Sequence, residues 1–272
     1  VLLPERELIK EYLGDPSDII ETPTAAQKLV FGEKRRRIPE LFDLDYPAML
    51  GVVQNQDSYA QGVAAQRPFY FDHVADLADQ AFAEFAELTG REYARASGYR
   101  LEDAEYVLAG QGSVVENAEA VADYLRAERN LKVGVLNLSM FRPFPADLVT
   151  WLLAGKKAVT VLERTDQPLA VDAPLLREIR AAMSKGMENA RHVGALPHPG
   201  VASVQPHQVP DFYSAGFGFG SRDLQPGDII AAVEHMAKGE PRRQYYLGID
   251  FIRKDTRLPK LQLWQEKLLD KY

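Results

Sequence analysis

The sequence predicts an α/β protein: a doubly wound, mostly parallel open sheet of about five strands, preceded by an irregular, α-rich segment. Three observations predict it. From about Gly98 onward, short apolar runs alternate with helix-length segments whose apolar residues recur every three or four positions. Single helices between consecutive strands require parallel strands joined by right-handed crossovers. Before Ser97-Gly98 that rhythm is absent.

In the leading region, Arg6 to Leu13 reads as a short helix, Gly14-Asp15-Pro16 as a turn and Ala48 to Val53 as one strand. Residues 72 to 89 read as a long amphipathic helix. Val74, Leu77, Ala81, Phe85 and Leu88 form its apolar stripe, Asp72, Asp76, Asp79, Glu84 and Glu87 occupy much of the remainder, and Gly90 stops it. The first strand of the regular region is about Glu105 to Ala109. Ser113 with Glu116 three residues on has the spacing of a capping box, opening a helix whose face is Val115, Ala118, Val121, Ala122 and Leu125.

A second strand runs from Lys132 to Leu138, and Pro145 sits where a first helical residue tolerates it, ahead of Leu148, Leu152 and Leu153. A third strand, Lys157 to Leu162, leads to a helix from Pro174 to Ser184 with Leu175, Leu176, Ile179 and Met183 inward. Gly186 to Asp211 has no clear period and is expected to be a loop or insertion around a short apolar piece at Val201 to Val204. A helix from Pro226 to Ala237, with Ile229, Ile230, Val233 and Met236 inward, a strand near Tyr245 to Ile249 and a short helix at Leu261 to Leu269 complete the chain. The expected domains are therefore 1–98, 99–251 and a tail, 252–272.

Composition narrows the function. At 272 residues, 46% hydrophobic, the chain can bury its own core without staples. It has no cysteine, which excludes disulfides, thiolate nucleophiles, Cys-ligated zinc and all-Cys iron–sulfur clusters within it. The charge of -7, from 39 acidic and 32 basic residues, argues against a nucleic-acid-binding surface. No apolar run approaches the roughly 18–20 residues of a membrane span, and Val1 to Lys10 lacks a signal-peptide pattern. The expectation is a cytoplasmic chain beginning inside a longer polypeptide.

Ligands and partners of such a sheet meet the carboxyl ends of its strands. Gly110-Gln111-Gly112-Ser113 lies between a strand and a helix start, where free N–H groups favour an anion, although the third glycine of a dinucleotide fingerprint is missing. Arg142 lies in the next such loop, Ser139 to Pro145, and Glu163 to Ala170 forms a third. In Gly216-Phe217-Gly218-Phe219-Gly220-Ser221-Arg222-Asp223, three alternating glycines would strip one side of an extended segment and permit close backbone approach, by a ligand or a docking partner. The five histidines form no metal signature, the run Lys34 to Arg37 reads as exposed charge, and no nucleophile–base pair is visible. No catalytic or metal-binding residue is expected.

Beyond this residue-level reading, Gln54 to Gly62, Arg67-Pro68-Phe69-Tyr70 and Glu87 to Tyr93 resemble the segment of pyruvate:ferredoxin oxidoreductases that joins the thiamine-pyrimidine domain to the next domain. So, in the family's order, do Asp103 to Ser113, Met140 to Pro145, Ala158 to Arg164 and Gly218 to Asp223. The resemblance implies that the regular region is a transketolase carboxy-terminal-like domain. It further implies a whole enzyme that decarboxylates a 2-oxoacid oxidatively to acyl-CoA, using thiamine diphosphate, Mg²⁺, iron–sulfur clusters and coenzyme A, with ferredoxin or flavodoxin as electron acceptor. A dimeric assembly with the remaining domains or subunits is expected. The G-D-G…N motif for the diphosphate is absent, so this chain is expected to bind none of these cofactors alone and to supply a structural and interface domain. The alternative is a free-standing flavodoxin-like module binding a nucleotide or coenzyme A.

Overall fold

In the computed structural model, residues 55–249 are described. The expected elements at Arg6–Leu13, Ala48–Val53 and Leu261–Leu269, and the run Lys34–Arg37, lie outside them. The chain divides into two compact units, 1–66 and 67–272.

Helix α1 (Gln56–Phe69), a stretch not read as an element from sequence, precedes a 3-10 turn and helix α2 (Val74–Thr89). The sheet that follows comprises β1 (Ala96–Tyr99), β2 (Tyr106–Gly110), β3 (Val133–Leu138), β4 (Ala158–Glu163), β5 (Asp211–Gly216) and β6 (Gln244–Tyr246). Its helices are α3 (Val114–Arg129), α4 (Ala146–Leu153), α5 (Pro174–Asn189) and α6 (Pro226–Ala237). The strand order is β1-β3-β2-β4-β5-β6, with only β1 antiparallel to its neighbour. Without β1 this is the 2-1-3-4-5 order of flavodoxin-like sheets, whose switch point lies between β2 and β4.

The inner strands β2, β3, β4 and β5 are buried on both faces over most of their length, and their side chains alternate between two apolar layers. Leu108 of β2 joins Leu125 of α3 and Val233 of α6 on one face, while Val107 and Ala109 join Ile179 and Met183 of α5 on the other. Every residue of β4 is buried, as a central strand requires.

Several expectations are corrected. The sheet has six strands, because Ala96–Tyr99, which straddles the compositional change, adds an antiparallel edge. The segment Gly186 to Asp211 is a loop over most of its length, as expected, but α5 continues to Asn189, Pro206–Gln208 is a 3-10 turn, and Asp211 opens a strand, Asp211–Gly216, that the sequence reading did not place. Ser113 closes no capping box, since it is itself helical in φ and ψ and its side chain makes no cap bond. In α2 the expected stripe is not the covered one: Leu77 is 61% and Leu88 85% exposed, while Val74, Ala75, Ala78, Phe82 and Ala86 are half-buried. Gly90 ends α2 as expected, in the left-handed conformation.

Candidate functional site

The parallel register aligns Tyr106, Val133, Ala158 and Asp211 at one end of the sheet, so β3, β2, β4 and β5 end together at the other. The residues just beyond those ends, Phe141, Gln111, Arg164 with Thr165, and Phe217, line a cleft of about 350 Å³. Glu163 and the start of α5, Pro174 and Leu175, form its floor and side. All four expected loops therefore meet on this edge. Within them the lining residues are Gln111, Phe141, Glu163, Arg164, Thr165 and Phe217; the candidates Gly110, Gly112, Ser113, Arg142, Gly216, Gly218, Gly220, Ser221, Arg222 and Asp223 stand outside the lining.

Glu163 is the group that sequence reasoning passed over. It is the last residue of β4 and only 8% exposed. One carboxylate oxygen accepts the Leu175 N–H at 2.6 Å and the other the Leu176 N–H at 3.2 Å, which places a negative charge on two free donors of the first turn of α5. Burial pushes the carboxyl pKa up, against the two N–H groups and the charge of Arg177, which favour ionisation. The α5 amino terminus at the switch point is thus filled by the chain's own carboxylate. The only sequence signal was an acid at a strand end with Pro174 eleven residues on, a spacing no capping rule covers.

The α3 amino terminus differs. Gly110 ends β2, Gly112 turns the chain at φ +72°, and Ser113 provides no side-chain cap. Arg142 is exposed, stacks on the Phe141 ring at 4.2 Å and pairs with Glu178 at 2.9 Å.

The glycine run is not the extended segment expected. Gly216 lies in β5, where a Cβ would come within 2.9 Å of the Phe219 ring and 3.0 Å of the Tyr246 ring. Gly218 and Gly220 are left-handed at φ +72° and +63°, and a Cβ on Gly218 would lie 2.9 Å from the Arg164 guanidinium. The close approach that glycine permits is therefore made by the chain's own side chains. Arg164 donates to the Gly218 carbonyl at 3.3 Å, and the Tyr246 hydroxyl donates to Asp166 at 2.9 Å. Burial and that carboxylate push the Tyr246 phenol up to about 12.

Chemically, the cleft offers two phenyl walls, a guanidinium and a carboxylate already committed to the backbone. Among the described residues no group of three His, Asp or Glu side chains is placed to hold a metal ion. No described helix is long and apolar enough to cross a membrane.

Comparison with known proteins shows what the chain resembles. Residues 104–209, from just before β2 to just before β5, match the profile of pyruvate:ferredoxin oxidoreductase core domain II. Over that stretch the chain is similar to the pyruvate:ferredoxin oxidoreductase family. It is 32% identical over 229 residues to pyruvate synthase subunit PorA of Thermotoga maritima, covering 84% of this chain and 52% of that subunit. It is 28% identical over 233 residues to pyruvate:ferredoxin oxidoreductase of Moorella thermoacetica, covering 85% of this chain and 18% of that protein. Against the probable pyruvate-flavodoxin oxidoreductase of Escherichia coli it is 29% identical over 209 residues, covering 75% of this chain and 16% of that protein. The chain thus spans between about a sixth and about half of these relatives. The core domain II match takes in Glu163, its two backbone donors and Asn189, and excludes the glycine run.

Proposed function

We propose that this chain is a portion of a thiamine-dependent 2-oxoacid:ferredoxin or flavodoxin oxidoreductase, which converts pyruvate or a related 2-oxoacid to acyl-CoA. Its role there is to supply a transketolase carboxy-terminal-like domain for assembly, without a thiamine, Mg²⁺ or cluster site of its own. The observation that carries this reading is the core domain II match on a sheet whose switch-point helix is capped by Glu163. In doubly wound sheets that take a phosphate, a helix start at the switch point holds the external anion; here the α5 start holds a side chain, while the α3 start has no side-chain cap. The residues do not fit the family's other groups either: a cluster needs thiolates that this cysteine-free chain lacks, and the one buried carboxylate of the cleft is spent on α5.

The partners on this reading are the remaining domains or subunits, with ferredoxin or flavodoxin reduced by the whole enzyme. The loops around Gly110, Gly112, Ser113 and Arg142, and the run Gly216 to Asp223 with Gly218, Gly220, Ser221 and Arg222, are proposed as contact loops of this edge. The test is to assay the complete enzyme for coenzyme A-dependent reduction of ferredoxin or flavodoxin by pyruvate. Activity that is lost with the intact assembly when residues 96–249 are deleted supports the reading. An enzyme that stays assembled and fully active without them contradicts it.

A further inference from the structure

Helix α2 carries one broad apolar arc that is only partly covered. Val74, Ala75, Ala78, Phe82 and Ala86 are half-buried, whereas Leu77, Phe85 and Leu88 are 61%, 41% and 85% exposed, with the half-exposed Tyr93 ring 5.7 Å from Phe85. An apolar arc wider than the surface that covers it leaves a strip available to a second surface. No residue of this 16-residue helix is fully buried.

The helix is nevertheless tied in place. The Arg95 guanidinium, 10% exposed, donates to Asp79 of α2 at 2.8 Å and to both oxygens of Asp147 in α4 at 3.0 and 2.8 Å. A bidentate pair of this kind fixes orientation as well as distance. The Arg95 carbonyl also accepts the Ser139 and Met140 N–H groups, so the clamp is anchored at the end of β3.

We propose that the outer face of α2, formed by Leu77, Phe85 and Leu88 with Tyr93 beside it, is a docking surface for another domain or subunit of the same oxidoreductase. The covering surface is apolar and carries Lys or Arg at its rim. This rests on the reading of the chain as a portion of a larger enzyme. The charge assigns the occupant: α2 contains no Lys or Arg, and beyond Asp79, which Arg95 pairs, it carries Asp76, Glu84 and Glu87. Two copies of α2 face to face would oppose like charges, and an anionic lipid surface would be repelled as well. Polypeptide is available, since the relatives extend far beyond the matched length.

The test is hydrogen–deuterium exchange on the complete enzyme, comparing wild type with Leu88→Asp and with Glu84→Lys/Glu87→Lys. Leu88 is too exposed for its replacement to unfold the sheet, and the exchange of β4 reports this internally. The expected result is an increase of about tenfold in exchange across residues 77–88 in Leu88→Asp, with β4 unchanged. A smaller increase is expected in the double charge variant, and in wild type when ionic strength is raised. Wild-type α2 amides that exchange no more slowly in the complete enzyme than in this chain alone would overturn the proposal while leaving the family role intact. So would a dimer of this chain alone, detected by light scattering and abolished by Leu88→Asp, which would make the occupant a second copy. An enzyme without 2-oxoacid oxidoreductase activity would overturn the underlying reading, and this inference with it.

Discussion

At Glu163 two effects oppose each other, and the pH dependence shows which is larger. Two backbone donors and the helix dipole favour the carboxylate, whereas burial favours the neutral acid, and the net effect raises the pKa above its ordinary value of 4.5. A raised folded-state pKa means that the group's contribution to stability is fully present below 4.5 and is lost as pH rises through the folded value. Glu163→Gln removes that titration. The wild type should therefore lose stability relative to this variant as pH rises from 4.5 toward neutrality, measured by urea unfolding; parallel pH curves would contradict the account. Glu163→Ala leaves the Leu175 and Leu176 N–H groups without their acceptor and should cost about 1–2 kcal/mol. Asp147 has the opposite sign. Burial pushes its carboxyl up, but the hydrogen bonds and charge of Arg95 outweigh this and hold it below its ordinary 3.8. The stability it confers is present above that value and lost as pH falls through the folded one. Arg95→Ala should cost about 2 kcal/mol at neutral pH and should make the acid limb of the stability curve shallower by the share of Asp147, leaving the shares of Asp103, Glu105 and Glu188, which are also held below their ordinary values.

At the scale of elements, the segment after α5 shows how a loop is fixed without periodicity. The Asn189 side-chain amide donates to the His198 and Val201 carbonyls, both at 2.9 Å, and its oxygen accepts the His198 N–H at 3.0 Å. Val204 is fully buried, and its N–H donates to the Gly186 carbonyl at 3.0 Å. A Cβ on Gly186 would lie 2.8 Å from the Ala202 carbonyl oxygen and 2.9 Å from the Val204 side chain. Alanine is the better helix former, so propensity alone predicts that Gly186→Ala stabilises α5. The contact geometry predicts the reverse, a loss of about 1–3 kcal/mol in thermal or urea unfolding. A stabilised variant would show that the loop gives way freely. The same geometry explains what was legible in the sequence. Helices α3 to α6 and strands β2, β3 and β4 announce themselves by period, because each buries a stripe or a run. Strand β5 was hidden because Asp211-Phe212-Tyr213-Ser214-Ala215-Gly216 mixes polar and small residues that only the tertiary setting buries. The cleft was half legible: its loops follow from strand ends, whereas Glu163 acts across eleven residues on a helix start, and no local pattern encodes that.

For the whole molecule, one sheet presents two kinds of surface. The carboxyl edge holds a cleft whose buried acid is occupied in capping α5, and the clamp at Arg95 fixes an acidic helix with an apolar outer face. Neither arrangement includes a metal-binding cluster among the described residues. Both suit a domain that holds other domains in place. The measurement that tests this most directly is calorimetric titration of thiamine diphosphate with Mg²⁺ into the purified chain. The account predicts no saturable heat, because among the described residues no group of carboxylates is placed to hold the metal and the cleft's buried carboxylate is committed to α5. Stoichiometric binding in the micromolar range would contradict it.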